Sequence, residues 1–251
     1  MGKIISIHSF RGGTGKSNIT ANLAYTTALH GKRVGVVDTD IQSPGIHVIF
    51  GLGGKKIHNT LNRYLESKCK IDDVAFDVSK NLKLPSNSLF MFPAALESDE
   101  IIKFLREGYE VSMLSDGFRT VIESKQLDYL FVDTHPGLGQ ETFLSIAISD
   151  YLFVIMRPDE QDYLGTMVTL ELAKKLEVPN IYMIINKVLP KYDLKDVKKT
   201  IQKEYNVPVA AVIKFFEEIA DTASATVFIK ENPNHEFSKL FQEMYKLFST
   251  D

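Results

Sequence analysis

Short runs of β-branched and aromatic residues recur along the chain at Lys3–His8, Arg33–Asp38, Ser88–Pro93, Leu127–Asp133, Tyr151–Arg157, Asn180–Asn186 and Val207–Ile213. They are near-continuous apolar runs and do not alternate, which is the pattern of strands buried on both faces of a parallel sheet. Between them, apolar residues fall at helical spacing in Asn18–His30, Glu97–Glu107, Gly117–Lys125, Thr142–Ser149, Gly165–Leu176, Leu194–Tyr205 and Glu236–Phe248. This succession predicts an α/β fold: a doubly wound, mostly parallel β-sheet whose right-handed crossovers put helices on both faces. No internal repeat or low-complexity linker interrupts it, so residues 1–251 read as a single domain. The least patterned stretch is Gly51–Asn87, where Gly51, Gly53 and Gly54 precede a predicted helix at Thr60–Lys68.

Composition narrows the functional classes. Hydrophobic residues at 44% and charged residues at 24% are those of a globular protein. A formal net charge of -3 excludes a uniformly basic surface for nucleic acid but leaves room for a local basic face. Cys69 is the only cysteine, so one chain has no disulfide framework and no CxxC metal site, and a cytoplasmic location is expected. The apolar stretches YLFVIM and IYMII are strand-length, far short of the roughly 20 residues of a spanning helix. The N-terminal MGKIISIHSF has no h-region or cleavage site and runs straight into a glycine loop.

That loop carries the chemistry. Phe10-Arg11-Gly12-Gly13-Thr14-Gly15-Lys16-Ser17 follows the first predicted strand and opens the first helix, the context a phosphate loop requires. Glycines let backbone N–H groups turn inward, and the helix N-terminus adds partial positive charge. Arg11, Gly12, Gly13, Thr14, Gly15, Lys16, Ser17 and Asn18 are therefore the expected phosphate-binding residues, with Lys16 on the β/γ-phosphates and the Ser17 hydroxyl on Mg²⁺. Phe10 stands where the strict GxxxxGK[ST] pattern has glycine. RGGTGKS resembles the deviant Walker A motif KGGxGK[ST] of the ParA/MinD family of ATPases.

The resemblance implies ATP and Mg²⁺ as cofactors, a nucleotide-sandwich homodimer, slow hydrolysis stimulated by a partner protein, and a switch that positions or partitions a cellular cargo. Arg11 replaces the family's lysine that reaches the other subunit's phosphates; it keeps the charge and adds a planar fork suited to a trans-acting arginine finger. Asp38-Thr39-Asp40, at the end of the second strand, resembles the family's switch I, with Asp40 on the attacking water and Asp38 in the Mg²⁺ shell. Leu130-Phe131-Val132-Asp133 followed by Thr134-His135-Pro136-Gly137 has the form of a Walker B strand and switch II, with Asp133 on Mg²⁺ and His135 lining the switch. The resemblance assigns Asn186 and Lys187 to the adenine, and the missing NKxD aspartate favours ATP over GTP. Asp159, Gln161 and Asp162 fall in a predicted charged loop, near the dimer or partner surface in relatives.

The partner surface divides the readings. Lys191, Lys195, Lys198, Lys199 and Lys203 gather on one side of a predicted helix and form a candidate face for nonspecific DNA. Phe237, Leu240, Phe241, Met244, Leu247 and Phe248 form an apolar stripe that serves either as core or, with less support, as a membrane-surface anchor. A peripheral position on nucleoid or membrane follows from either. The alternatives are a carrier resembling the Mrp or ArsA branches, for which two copies of Cys69 would have to pair across a dimer, and a nucleotide-binding regulator with little turnover.

Overall fold

The chain starts in the middle of its own sheet. In the computed structural model, which describes residues 2–53, 57–95, 97, 101 and 108–249, β1 (Lys3–His8) lies between two strands that arrive much later in sequence. The others are β2 (Val34–Asp38), β3 (Phe76–Asp77), β4 (Leu89–Phe92), β5 (Tyr129–Asp133), β6 (Tyr151–Met156), β7 (Asn180–Val188) and β8 (Val209–Lys214). They form one 8-stranded sheet in the order β3-β4-β2-β5-β1-β6-β7-β8. Every neighbouring pair is parallel except β3 with β4. The expected doubly wound sheet is present. The two-residue antiparallel β3 lay unread in the Gly51–Asn87 stretch, because a strand that short has no periodicity to show.

Ten helices are assigned among the described residues: α1 (Lys16–Leu29), α2 (Ile46–Ile49), α3 (Leu61–Leu65), α4 (Ser112–Ser124), α5 (Gln140–Ala147), α6 (Glu160–Lys175), α7 (Leu194–Tyr205), α8 (Glu217–Asp221), α9 (Phe228–Glu231) and α10 (Glu236–Ser249). A 3₁₀ turn spans Ile71–Val74. The predicted helix at Glu97–Glu107 lies largely outside the described residues.

Alternation along the strands sorts the core into two sides. Ile5, Ile7, Phe131 and Phe153 pack with α1 and α10, whereas Ile4, Leu130 and Val132 face α3 and α4, and Leu152 and Val154 face α6 and α7. Each strand thus has apolar side chains on both faces, which is why its sequence reads as a continuous apolar run. Phe237, Phe241, Met244 and Phe248 of α10 are buried on the α1 side, so the terminal stripe is core and those side chains are not available to a bilayer. No helix among the described residues is long and apolar enough to cross a membrane.

Candidate functional site

Parallel strands that share a direction bring their carboxyl ends to one edge of the sheet, where the connecting loops gather. There the loop after β1 meets those after β2 and β5, around a cleft of about 340 Å³ lined by Gly12 to Asn18, Asp40, Asp133 and Pro136. Gly13 and Gly15 have φ of 78° and 92°, left-handed values that other residues rarely adopt. At Gly15 a Cβ would also lie 2.6 Å from Asn186 Nδ2. Gly15 caps α1 without any side-chain bond, so the first-turn N–H groups of that helix have no side-chain cap. Uncapped first-turn N–H groups at a helix N-terminus suit an anion.

Beneath the loop sits a tight polar cluster. Lys16 Nζ donates to Asp133 Oδ1 at 2.8 Å, Ser17 Oγ donates to Asp133 Oδ2 at 2.7 Å, and Thr20 Oγ1 lies 3.0 Å from Oδ1. Asp38 pairs in register with Asp133 on the adjacent strand and accepts from the N–H groups of Asp40 and Gly45 at 3.0 and 3.2 Å. Burial first, and then the neighbouring Asp133 charge, push the Asp38 carboxyl up to about 8, against the pull of Lys16. Two buried carboxylates, Asp38 and Asp133, and the Ser17 hydroxyl supply hard oxygens of the kind Mg²⁺ takes, with the Lys16 ammonium beside them as a counter-charge.

The segment after β2 is tied to β5 through Thr39, whose N–H and hydroxyl both donate to Asp133 O at 3.0 and 3.1 Å. Asp40 Oδ1 lies 2.7 Å from His135 Nδ1. On the far side of the loop, an irregularity in β7 between Ile185 and Val188, with Lys187 at φ 58°, turns Asn186 and Lys187 toward the glycines. Asn186 Nδ2 donates to Thr14 O and Lys187 Nζ to Gly13 O, each at 2.7 Å. Both residues also line a smaller adjoining pocket of about 180 Å³ with Phe215, Phe216 and Ala223.

Arg11 stands apart from this cluster: its side chain is 40% exposed, with Nε 4.0 Å from Asp162 Oδ1. Asp162 is not in a loop as expected. Asp159 caps α6 by accepting from the Asp162 N–H, so the helix begins at Glu160 and not at Gly165, and the charged tetrapeptide is a cap with its first turn. The buried Asp162 carboxylate accepts from the Arg157 backbone N–H and Nε at 2.9 and 3.1 Å.

Several contributors escaped sequence reasoning. Thr20 is one helical turn beyond Lys16, a spacing that could have flagged it. Ser224, which accepts from Asn18 Nδ2 at 2.8 Å, is remote in sequence and carried no signal. The lysines of α7 do form a face. Lys195, Lys198, Lys199 and Lys203 line a surface hollow of about 620 Å³, while Lys191 lies 5.0 Å from the centre of the Tyr192 ring. Cys69 is half-buried, and among the described residues no three His, Cys, Asp or Glu side chains are grouped to hold a metal ion.

Known proteins sharpen this picture. An uncharacterized ATP-binding protein of Methanocaldococcus jannaschii is 31% identical over 83% of this chain and 73% of its own length. The flagellum site-determining protein YlxH of Helicobacter pylori is 31% identical over 74% of this chain, and an iron-sulfur cluster carrier protein of Rickettsia prowazekii is 28% identical over 90%. The matches span only 58% and 65% of those two proteins. In structure, the septum site-determining protein MinD of Pyrococcus horikoshii, complexed with Mg-ADP, superposes with a TM-score of 0.83 at 21% identity, covering 100% of this chain and 97% of that one. With a family model described as ParA, NUBPL iron-transfer P-loop NTPase, matching residues 1–248, the chain belongs to the ParA family of P-loop NTPases.

Proposed function

We propose that this protein is an ATP-dependent switch of the ParA/MinD type, which binds ATP with Mg²⁺, dimerises on it, and positions or partitions a cellular cargo. The observation that carries the reading is the cluster of Lys16, Ser17 and Asp133 at the foot of an uncapped, glycine-lined helix N-terminus. On this reading the loop N–H groups hold the phosphates and Lys16 exchanges its bond to Asp133 for one to the β/γ-phosphates. Ser17, Asp38 and Asp133 hold Mg²⁺, which when bound neutralises phosphate charge. Asp40 orients a water and takes its proton as the water oxygen bonds to the γ-phosphorus and the bond to the bridging oxygen breaks, releasing ADP. Asn186 and Lys187 meet the adenine beside the Phe215 and Phe216 pocket. Arg11, exposed and 4.0 Å from Asp162, exchanges that contact for a partner subunit's phosphates.

Two variants test the reading. Lys16→Ala should abolish ATP binding by calorimetry. Asp40→Ala should bind ATP and accumulate as a dimer by light scattering, because hydrolysis no longer resets it. An oligomeric state indifferent to ATP in both proteins sinks the proposal.

The carrier reading is supported by the iron-transfer description of the family model and by relatives named as iron-sulfur cluster carriers. It would require Cys69 to act as a thiolate, yet burial and the nearby Asp73 push that thiol up, against a smaller opposing pull from Arg63. Iron and zinc analysis of anaerobically purified dimer separates the two readings: stoichiometric metal lost in Cys69→Ser favours the carrier.

A further inference from the structure

The bond between His135 and Asp40 belongs to no part of the phosphate loop and has a consequence for the Asp40 carboxylate. Its Oδ1 carries every hydrogen bond assigned to the group: His135 Nδ1 at 2.7 Å, Ser43 Oγ at 3.0 Å and Ser43 N–H at 3.2 Å. Among the described residues its Oδ2 accepts none, and Asp40 lines the cleft in front of the phosphate loop. Three donors on one oxygen fix the plane of a carboxylate that could otherwise turn about its Cβ–Cγ bond, and leave the second oxygen free to accept.

Two of those donors come from Ser43, on the same loop as Asp40, and cannot register that loop against anything else. Only His135 lies on a different element. It sits beyond the end of β5, and its own carbonyl accepts from Thr142 Oγ1 of α5 at 3.1 Å, so its backbone is held by a helix. Because Asp40 is an acceptor at this contact, Nδ1 carries the hydrogen. The pair is mostly shielded, with side chains 26% and 13% exposed, so it is less open to competition from water than a surface pair.

We infer that His135 is the positioning residue of the hydrolytic step: it clamps Asp40 Oδ1 to the segment after β5 so that Oδ2 is presented to the attacking water. The inference rests on Asp40 acting on that water. It makes His135 a link between the two loops that flank the nucleotide, through one hydrogen bond whose acceptor lies 95 residues earlier in the chain.

Replacing His135 by Asn keeps a nitrogen donor in the place of Nδ1, since both branch at Cγ; replacing it by Ala removes the donor. Steady-state ATP hydrolysis is measured for the wild type, His135→Ala, His135→Asn, Asp40→Ala and the Asp40→Ala/His135→Ala pair, with ATP affinity measured separately by fluorescent-nucleotide titration. The expected result is a fall in kcat of about tenfold to a hundredfold for His135→Ala at unchanged KM and ATP affinity, since misplacing a reacting group by about 1 Å can cost about a hundredfold. The Asn variant recovers most of that loss, and His135→Ala causes no further loss in the Asp40→Ala background. An unchanged kcat in His135→Ala, or an equal loss with and without Asp40, overturns the inference. Undiminished hydrolysis in Asp40→Ala is a different failure: it overturns the assignment of Asp40 on which the inference stands.

Discussion

His8 closes β1 as a wholly buried imidazole whose hydrogen-bonding state can be deduced. Its Nδ1 lies 2.8 Å from Thr134 Oγ1, and the Thr134 hydroxyl already donates to Ile7 O at 3.0 Å. Nδ1 must therefore donate, which leaves Nε2 a bare acceptor with no partner among the described residues. Burial, followed by the charges of Lys16 and His135, lowers the imidazole to about 3. In the unfolded chain the same ring takes a proton near its usual 6.5. Between those values the unfolded state binds more protons, so stability falls as pH drops from about 6.5 toward about 3. At about pH 5 the cost is roughly 2 kcal/mol, from about 1.4 kcal/mol per pH unit. Urea unfolding near pH 7.5 and near pH 5 should show the wild type losing about that much more than His8→Gln over the interval. Equal losses would mean that His8 is not the group responsible. At this scale the sequence showed Lys16, Ser17 and Asp133 because a glycine loop and a strand-ending aspartate are local patterns. His8 and the partner of His135 were hidden because each depends on an atom more than ninety residues away.

One apolar contact at the loop is unusually close. Gly165 of α6 faces the half-buried Phe10, and a Cβ at Gly165 would stand 1.9 Å from Phe10 Cδ1. The ring that replaces the usual first glycine of the motif thus needs a glycine on the facing helix. Gly165→Ala should displace Phe10 and with it the loop, lowering stability by about 1–3 kcal/mol, as overpacking does, and weakening ATP binding. Phe10→Ala in the same chain should relieve part of the penalty; thermal unfolding of the four proteins gives the coupling, and simple additivity would refute the contact. Strands were legible almost to the residue, β1 at Lys3–His8 without change, because two-sided burial makes each an uninterrupted apolar run. Helix starts were less so. α4 begins at Ser112, ahead of the expected Gly117, and α6 at Glu160, ahead of Gly165, the latter because its Asp159 cap and polar first turn have no apolar periodicity. α2, α8 and α9, of four or five residues each, are too short for a helical period to register.

For the molecule as a whole, net charge conceals how charge is arranged. The chain carries -3, yet Lys195, Lys198, Lys199 and Lys203 share one hollow beside α7, and none of their ammonium groups has a carboxylate within salt-bridge distance among the described residues. Such a face repels itself until a polyanion replaces its counterions, and the release of ions from the polyanion makes the affinity depend on salt. If each lysine meets one phosphate, the logarithm of affinity for nonspecific duplex falls against the logarithm of salt with a slope of about -3.6 per face. Lys198→Ala/Lys199→Ala should reduce that slope to about -1.8 while leaving ATP binding intact, since neither residue borders the nucleotide cleft. Anisotropy titrations of labelled duplex over a salt series, with ATP and with Lys16→Ala as the nucleotide-free control, measure both. A slope unchanged by the double substitution would place the DNA contact elsewhere on the surface. Absence of binding at low salt would remove the lysines of α7 as a DNA face. The halved slope, seen only with ATP, would join the lysines of α7 to the loop after β1 as two ends of one device.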